Sequence, residues 1–249
     1  MAPSSQRNEH AAAGEHPVYL RVIYPEPQPY RKVLHLMERL AAARAADRVT
    51  DSVLLLEHEP VITVGLKTRP EDFLLDPAEI RIRGIAVERT SRGGGPTYHG
   101  PGQLVLYPIV RLSTLPLARG GLLAALEEIA RRTAADFGIR AFRRPGMPGI
   151  WTERGKLAAV GYRIRRDVSF HGLSFNVDCD LAPFSYINPC GLSGGEVTSV
   201  AVESACPPPL EEVRRCMVAH LDCLLGRRAW PVTPARLAEM LAGGSPLQG

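Results

Sequence analysis

Residues 156–178 read KLAAVGYRIRRDVSFHGLSFNVD, two apolar runs that meet at Arg166-Asp167. Alternation in the first run puts Lys156 on the same face as Ala158, Val160, Tyr162 and Ile164, the pattern of a half-buried strand. The second run carries a phase slip. Val168 and Phe170 share one parity, whereas Leu173, Phe175 and Val177 share the other. A β-bulge at His171-Gly172 would return these side chains to one face. Such bulges re-aim side chains at some active sites and are purely structural elsewhere.

Outward from this hairpin the chain mixes short strand-like runs with a few helical ones. Residues 18–24, 53–60, 61–65, 84–89, 103–112 and 149–153 read as strands. Residues 30–46 carry Val33, Leu34, Met37, Leu40, Ala41 and Ala45 at helical spacing. Residues 117–137 form a second helix with Gly138 as its stop signal. Residues 210–225 and 234–241 read as two more, the last with Thr233 as N-cap and proline at its first position. This pattern implies an α+β (mixed α/β) fold with a mixed sheet flanked by helices. No internal repeat or linker stands out. One domain is therefore expected over residues 17–242, with flexible tails at 1–16 and 243–249.

The composition suits such a domain. Of 249 residues, 45% are hydrophobic and 22% charged, which excludes wholesale disorder. The net charge of +4 permits acidic partners but falls short of a nucleic-acid-binding surface. No apolar stretch approaches the ~20 residues of a membrane span. The opening residues lack an apolar signal core, so a cytoplasmic protein is expected. Five cysteines without a C-x-x-C spacing suggest neither a disulfide framework nor a zinc ribbon. The 23 glycines and 22 prolines, however, make up about 18% of the chain and cluster between apolar runs.

The densest cluster is RGGGPTYHGPGQ at residues 92–103. Glycines there suit a loop whose backbone N–H groups approach a ligand closely, although a turn-rich connection with a surface His99 would read alike. No Walker-type phosphate loop occurs. Lys156 begins an apolar row. Burial would favour its neutral amine, a proton acceptor, while a place at the strand edge would leave the ammonium in solvent. In INPCGLSGGEVTS, Cys190 lies in an aperiodic loop and is the best candidate nucleophile of the five cysteines. Cys179 stands between two aspartates, which disfavour a thiolate. Cys216 and Cys223 read as small core residues of a helix, and Cys206 as a helix-end residue. No histidine, aspartate or asparagine completes a papain-like or caspase-like context, so a protease is disfavoured.

RGGGPTYHGPGQLVLYPI, GKLAAVGYRIRRDVSFHGLSFNVD and INPCGL, in this order, resemble the lipoyl(octanoyl) transferases, whose fold is that of the lipoate and biotin protein ligases. The likeness extends over roughly residues 54–199. It implies transfer of an octanoyl group from octanoyl-acyl carrier protein to one lysine of a lipoyl domain. The acceptors it implies are the lipoyl domains of 2-oxoacid dehydrogenase complexes and the glycine cleavage H protein. It further implies Cys190 as the acyl-accepting nucleophile and Lys156 as the partner that lowers its pKa. Substrate-binding positions carry over to Arg92, Gly93, Gly94, Gly95, Pro96, Thr97, Tyr98 and His99, to Ala159, Val160 and Gly161, and to Gly172, Leu173 and Ser174. Gly95-Pro96 occupy variable loop positions, and Ser174 stands where alanine is more familiar. His99 and His171 could orient donors or relay protons, as supporting groups behind the Cys–Lys pair. Neither ATP nor a metal is expected, nor nucleic acid or membrane as a partner. The rivals are an ATP-dependent lipoate or biotin ligase and a non-catalytic module that binds the acyl carrier. The Pro-Cys-Gly loop and the joint match of three blocks speak against the ligase.

Overall fold

The computed structural model describes residues 18–117, 121–189 and 196–243. The expected tails lie outside these residues, apart from Gly243. The strands are β1 (Val18–Ile23), β2 (Ser52–Leu56), β3 (Val61–Val64), β4 (Ala86–Arg89), β5 (Pro96–His99), β6 (Gln103–Ile109), β7 (Phe142–Arg144), β8 (Met147–Trp151), β9 (Lys156–Arg165), β10 (Val168–Asn176) and β11 (Arg228–Pro231). The α-helices are α1 (Tyr30–Ala45), α2 (Pro77–Ile82), α3 (Gly121–Asp136), α4 (Val200–Glu203), α5 (Leu210–Leu225) and α6 (Pro234–Leu241).

Eight strands form one mixed sheet in the order β11-β1-β2-β6-β10-β9-β8-β7. Its β11/β1 and β1/β2 pairs are parallel, and the pairs beyond them antiparallel. A second, smaller sheet runs β4-β3-β5. The α+β reading therefore holds. On one face of the large sheet, Leu122, Leu126 and Ile129 of α3 and Val213, Met217 and Leu221 of α5 pack on Leu104, Leu106, Leu173 and Phe175. On the other, Val33, Met37 and Leu40 of α1 and Leu237 of α6 cover Val105, Tyr107, Val168 and Phe170. Helical spacing of apolar residues against a two-sided sheet is what places these helices.

Several boundaries follow local chemistry. Thr233 Oγ accepts from the Arg236 N–H at 3.2 Å and caps α6, as expected. Helix α3 starts later than the sequence suggests; residues 118–120 lie outside the described residues. Arg166 and Asp167 have φ of 50° and 65°, the left-handed pair that closes a two-residue hairpin with the twist of its strands.

The expected bulge at His171-Gly172 is absent. Strand β10 pairs without a break from Val168↔Arg165 to Phe175↔Ala158, and from Leu173↔Leu106 to Asn176↔Gln103. All nine of its residues are buried. The strand is covered on both faces, so the parity change in its apolar residues reflects two cores and no slip. Strand β5 also departs from expectation, since it lies inside the glycine-rich stretch read as a loop.

A buried ion cluster ties the edge of this fold together. The Asp51 carboxylate, 1% exposed, accepts from Arg44 Nε at 2.6 Å and from the Arg111 N–H at 2.9 Å, and it also pairs with Arg227. These contacts join α1, the entry to β2, the end of β6 and the approach to β11. Removing one partner of a buried pair strands the others. Asp51→Ala should therefore lower stability by about 3 kcal/mol, seen as a fall in the urea midpoint at unchanged slope.

Candidate acyl-transfer site

A cavity of about 710 Å³ lies against β9 and β10. It brings together residues from the first two sequence blocks. Arg92–Thr97 and His99, Ala159–Gly161, and Gly172–Ser174 all line it, as do Lys156 and His171. Tyr98 does not. It turns into the small core under the second sheet, edge-on to Phe184 with ring centroids 5.5 Å apart. Alternation along β5 explains this, because Thr97 and His99 take the cavity side.

Lys156 reaches the cavity by a route that alternation did not predict. Ile150 pairs with Ala158, but Trp151 pairs with Lys156, so β9 holds one extra residue, Leu157. Leu157 and Ala158 both enter the large core, together with Ile150. Lys156 thus faces away from Ala158, Val160 and Tyr162, and the expectation of one shared face is corrected. The bulge lies in β9, and it re-aims this lysine. Lys156 is 7% exposed, and its ammonium stands 5.0 Å from the centre of the Trp151 ring. A Cβ at Gly149 would lie 3.1 Å from Lys156 Cε and 2.2 Å from the Ala158 carbonyl oxygen, so only glycine leaves room there.

The glycine loop is braced from beneath. Arg92 donates from Nε and Nη2 to the Thr63 hydroxyl, from Nη2 to the Thr63 carbonyl at 2.8 Å, and from Nη1 to the carbonyls of Gly93 and Gly95. Its fork geometry suits such a multi-carbonyl clamp. The Gly93 N–H then reaches the Tyr162 carbonyl of β9 at 3.3 Å. Gly65 makes this approach possible, because a Cβ there would sit 2.4 Å from the Gly94 oxygen.

Two buried histidines, His99 and His171, line the cavity, and a third, His58, lies behind His99 with ring centroids 5.5 Å apart. His58 Nδ1 donates to the Gln28 carbonyl at 3.0 Å and Nε2 accepts from the Tyr107 hydroxyl at 2.9 Å. His99 Nδ1 donates to Gln103 Oε1 at 2.6 Å. Gln103 Nε2 donates to Asn176 Oδ1 at 2.8 Å, and Asn176 Nδ2 to the Thr198 carbonyl at 2.9 Å. The Thr198 N–H returns to the Lys156 carbonyl at 3.1 Å, so one hydrogen-bonded chain runs from His99 to the Lys156 backbone. Burial lowers the pKa of His58 to about 4, and that of His171 to about 3 with help from Arg92 and Arg163. His99 is also held neutral, first by burial and then by His58.

Cys190 lies outside the described residues. On either side of the undescribed stretch, Pro189 and Val197 both line the cavity, and Glu196 between that stretch and Val197 does not. Val197 also forms a parallel bridge with Lys156. Cys179 is buried with its thiol pushed up to about 12, first by burial and then by Asp178, consistent with the view that it is no nucleophile.

A family model of the lipoyl protein ligase A/B catalytic domain matches residues 29–222. The chain belongs to this family. It is 42% identical over 202 residues to a Chloroflexus aggregans protein named octanoyltransferase, covering 80% of this chain and 91% of that one. A Geobacter metallireducens protein of the same name is 43% identical over 199 residues, covering 80% and 90%. Among solved structures, lipoate-protein ligase A bound with ATP superposes with a TM-score of 0.66 at 16% identity, covering 90% of this chain and 93% of the ligase. The bipartite lipoate protein ligase of Thermoplasma acidophilum, studied with its E2 lipoyl domain, gives 0.66 at 16%, with 91% of each chain covered. At such identity the likeness concerns the fold alone.

Sequence reasoning missed His58, Tyr107, Gln103 and Asn176. Each was visible as a polar or hydroxyl-bearing residue within or beside a strand-like apolar run, where an unexplained polar group needs a partner. Among the described residues, no three His, Cys, Asp or Glu side chains are arranged to hold a metal. No helix among them is long and apolar enough to cross a membrane.

The neutral histidines carry a pH signature. Each has a folded pKa below its ordinary value near 6.5, so unfolding takes up protons as pH falls below that value. Their contribution is full above pH 6.5 and is lost as pH falls toward about 4 for His58. The unfolding free energy from urea titrations between pH 6 and 5 should drop by up to about 1.4 kcal/mol per pH unit per histidine. His58→Gln should flatten this slope by one histidine's share.

Proposed function

We propose that this protein is an octanoyltransferase that moves an octanoyl group from a carrier-protein thioester, through Cys190, to a lysine of a lipoyl domain. Residues 17–242 act as one catalytic domain in this reading. The observation that carries it is the β9 bulge. It turns Lys156 into the cavity that is also lined by Pro189, the chain neighbour of Cys190. Relatives named octanoyltransferase, 42–43% identical over nine-tenths of their length, support the same chemistry.

Lys156 takes the Cys190 proton, and the thiolate attacks the octanoyl thioester carbonyl. Backbone N–H groups around Cys190 and Gly191 stabilise the oxyanion, each worth ~3 kcal/mol. The carbon–sulfur bond to the carrier breaks, and the carrier thiolate takes the proton back from Lys156. The neutral amine of the incoming lysine then attacks the Cys190 thioester. A carbon–nitrogen bond forms, the carbon–sulfur bond breaks, and the amine's surplus proton passes to the Cys190–Lys156 pair. Thioester-for-thioester exchange is near thermoneutral, so neither ATP nor a metal enters the scheme.

Acidic partners would meet the β9–β10 hairpin. Arg165 and Arg166 are exposed and form no ion pair among the described residues, whereas Arg143 pairs with Glu127 and Glu128 and Arg144 with Glu196. The hairpin is thus the better steering element of the two arginine groups.

Intact mass spectrometry after mixing with octanoyl-carrier protein provides the test. Wild type should gain one octanoyl group that hydroxylamine removes, and Cys190→Ser should gain none. Lys156→Ala should slow acylation by at least 100-fold, on the order of a lost general base. Equal acylation of Cys190→Ser, or ATP–pyrophosphate exchange with free octanoate or lipoate, would sink the scheme in favour of another nucleophile or a ligase.

A further inference from the structure

His171 is held in the cavity at a cost. Its φ of 60° is left-handed for a non-glycine residue in the middle of a strand. Strict alternation would send its side chain toward α3 and α5. Instead, the ring stands edge-on to Tyr107, with centroids 6.2 Å apart, and lines the cavity. It is 1% exposed, and neither ring nitrogen has a hydrogen-bond partner among the described residues. Hydrogen bonding within the protein therefore does not explain its orientation.

Between Lys156 and His171 the cavity floor is nearly bare. Ala159, Gly172 and Ser174 form it, with Ala159 opposite Ser174, while Gly161, opposite Gly172, lies beneath the Gly93 carbonyl and the Arg92 side chain. His171 pairs with Tyr162, and Lys156 Cε lies beside Gly149 and the Ala158 carbonyl. From Ala158 to Tyr162 is four residues, about 13 Å of strand. An extended octanoyl chain spans about 9 Å over seven carbon–carbon bonds of ~1.5 Å. Contact at the methyl end adds ~3.7 Å. The two lengths agree.

We propose that His171, backed by Tyr107, is the end wall of the acyl pocket and limits it to about eight carbons. The inference rests on the transfer reading above and specifies its substrate. Two further methylenes would need about 2.5 Å that the wall occupies. Two fewer would forfeit roughly 4-fold in affinity each.

The test compares hexanoyl, octanoyl, decanoyl and dodecanoyl carrier thioesters by kcat/KM, and the matching free fatty acids by calorimetric binding. Wild type should prefer eight carbons in both. His171→Gly keeps the backbone conformation permissible and should move the optimum to ten or more, raising the decanoyl-to-octanoyl ratio at least 10-fold. Ser174→Leu, which fills the floor nearer Lys156, should move it to six or fewer. Opposite shifts in two variants are not what general damage produces. Transfer by wild type with a chain-length profile that neither variant moves overturns the end wall and leaves the transferase. No transfer by wild type, with fatty-acid binding still peaked at eight carbons and moved by the variants, overturns the transferase and leaves the end wall. Binding that neither variant moves overturns the end wall in either case.

Discussion

Burial of β10 on both faces is the constraint from which the site follows. A strand between two cores has no water to satisfy its polar groups, so each needs a partner within the protein or in a ligand. Ser169 donates to the Pro108 carbonyl at 2.8 Å. Asn176 joins Gln103 and Thr198 in the chain that reaches the Lys156 backbone. His171 is left with two nitrogens that have no hydrogen-bond partner among the described residues. The same double burial fixes the register with β6 and β9, and the register sets Gly172 opposite Gly161 and Ser174 opposite Ala159. A smooth floor is the consequence.

The four long helices were legible in the sequence because their signals are local, whereas the short α2 and α4 were not read. Residues 210–225 and 234–241 carry apolar spacing within their own length, the second also a Thr233 cap. Both form helices over the bounds read, although Cys223, read as a core residue, is exposed. The bulge was not legible. Parity locates a slip only where one face is polar, and β10 offers no such face. In β9 the extra residue hides in Leu157-Ala158-Ala159, where alanine suits either side equally. Strand β5 was invisible for another reason. Its pairing comes from β3, and nothing in PTYH beside three glycines announces a strand. Of the site, the sequence blocks located the floor and the glycine loop, but the polar partners His58, Tyr107 and Asn176 became apparent only from what they touch.

Arg92 shows how a motif residue can serve indirectly. Its guanidinium clamps the carbonyls of Thr63, Gly93 and Gly95. Glycines lower the steric cost of such a loop but raise its entropy in the unfolded chain. The clamp offsets that entropy by fixing three segments with one side chain. The loop is thereby held in place by the protein's own hydrogen bonds, the Gly93 N–H included, which donates to the Tyr162 carbonyl.

The bare floor also bears on how two large partners could share one small site. In the proposed scheme thioester exchange supplies little driving force, so binding would have to hold the acyl group while one protein leaves and another arrives. Seven methylene and methyl groups buried at ~0.8 kcal/mol each supply on the order of 5 kcal/mol, independent of either partner. In the proposed scheme, a lysine positioned by a bulge would serve both half-reactions without moving, because the acyl chain anchored beside it would stay in place. In that scheme the partners would need only brief, charge-steered encounters, which suits a protein whose net charge is only +4 and whose β9–β10 hairpin carries the exposed Arg165 and Arg166.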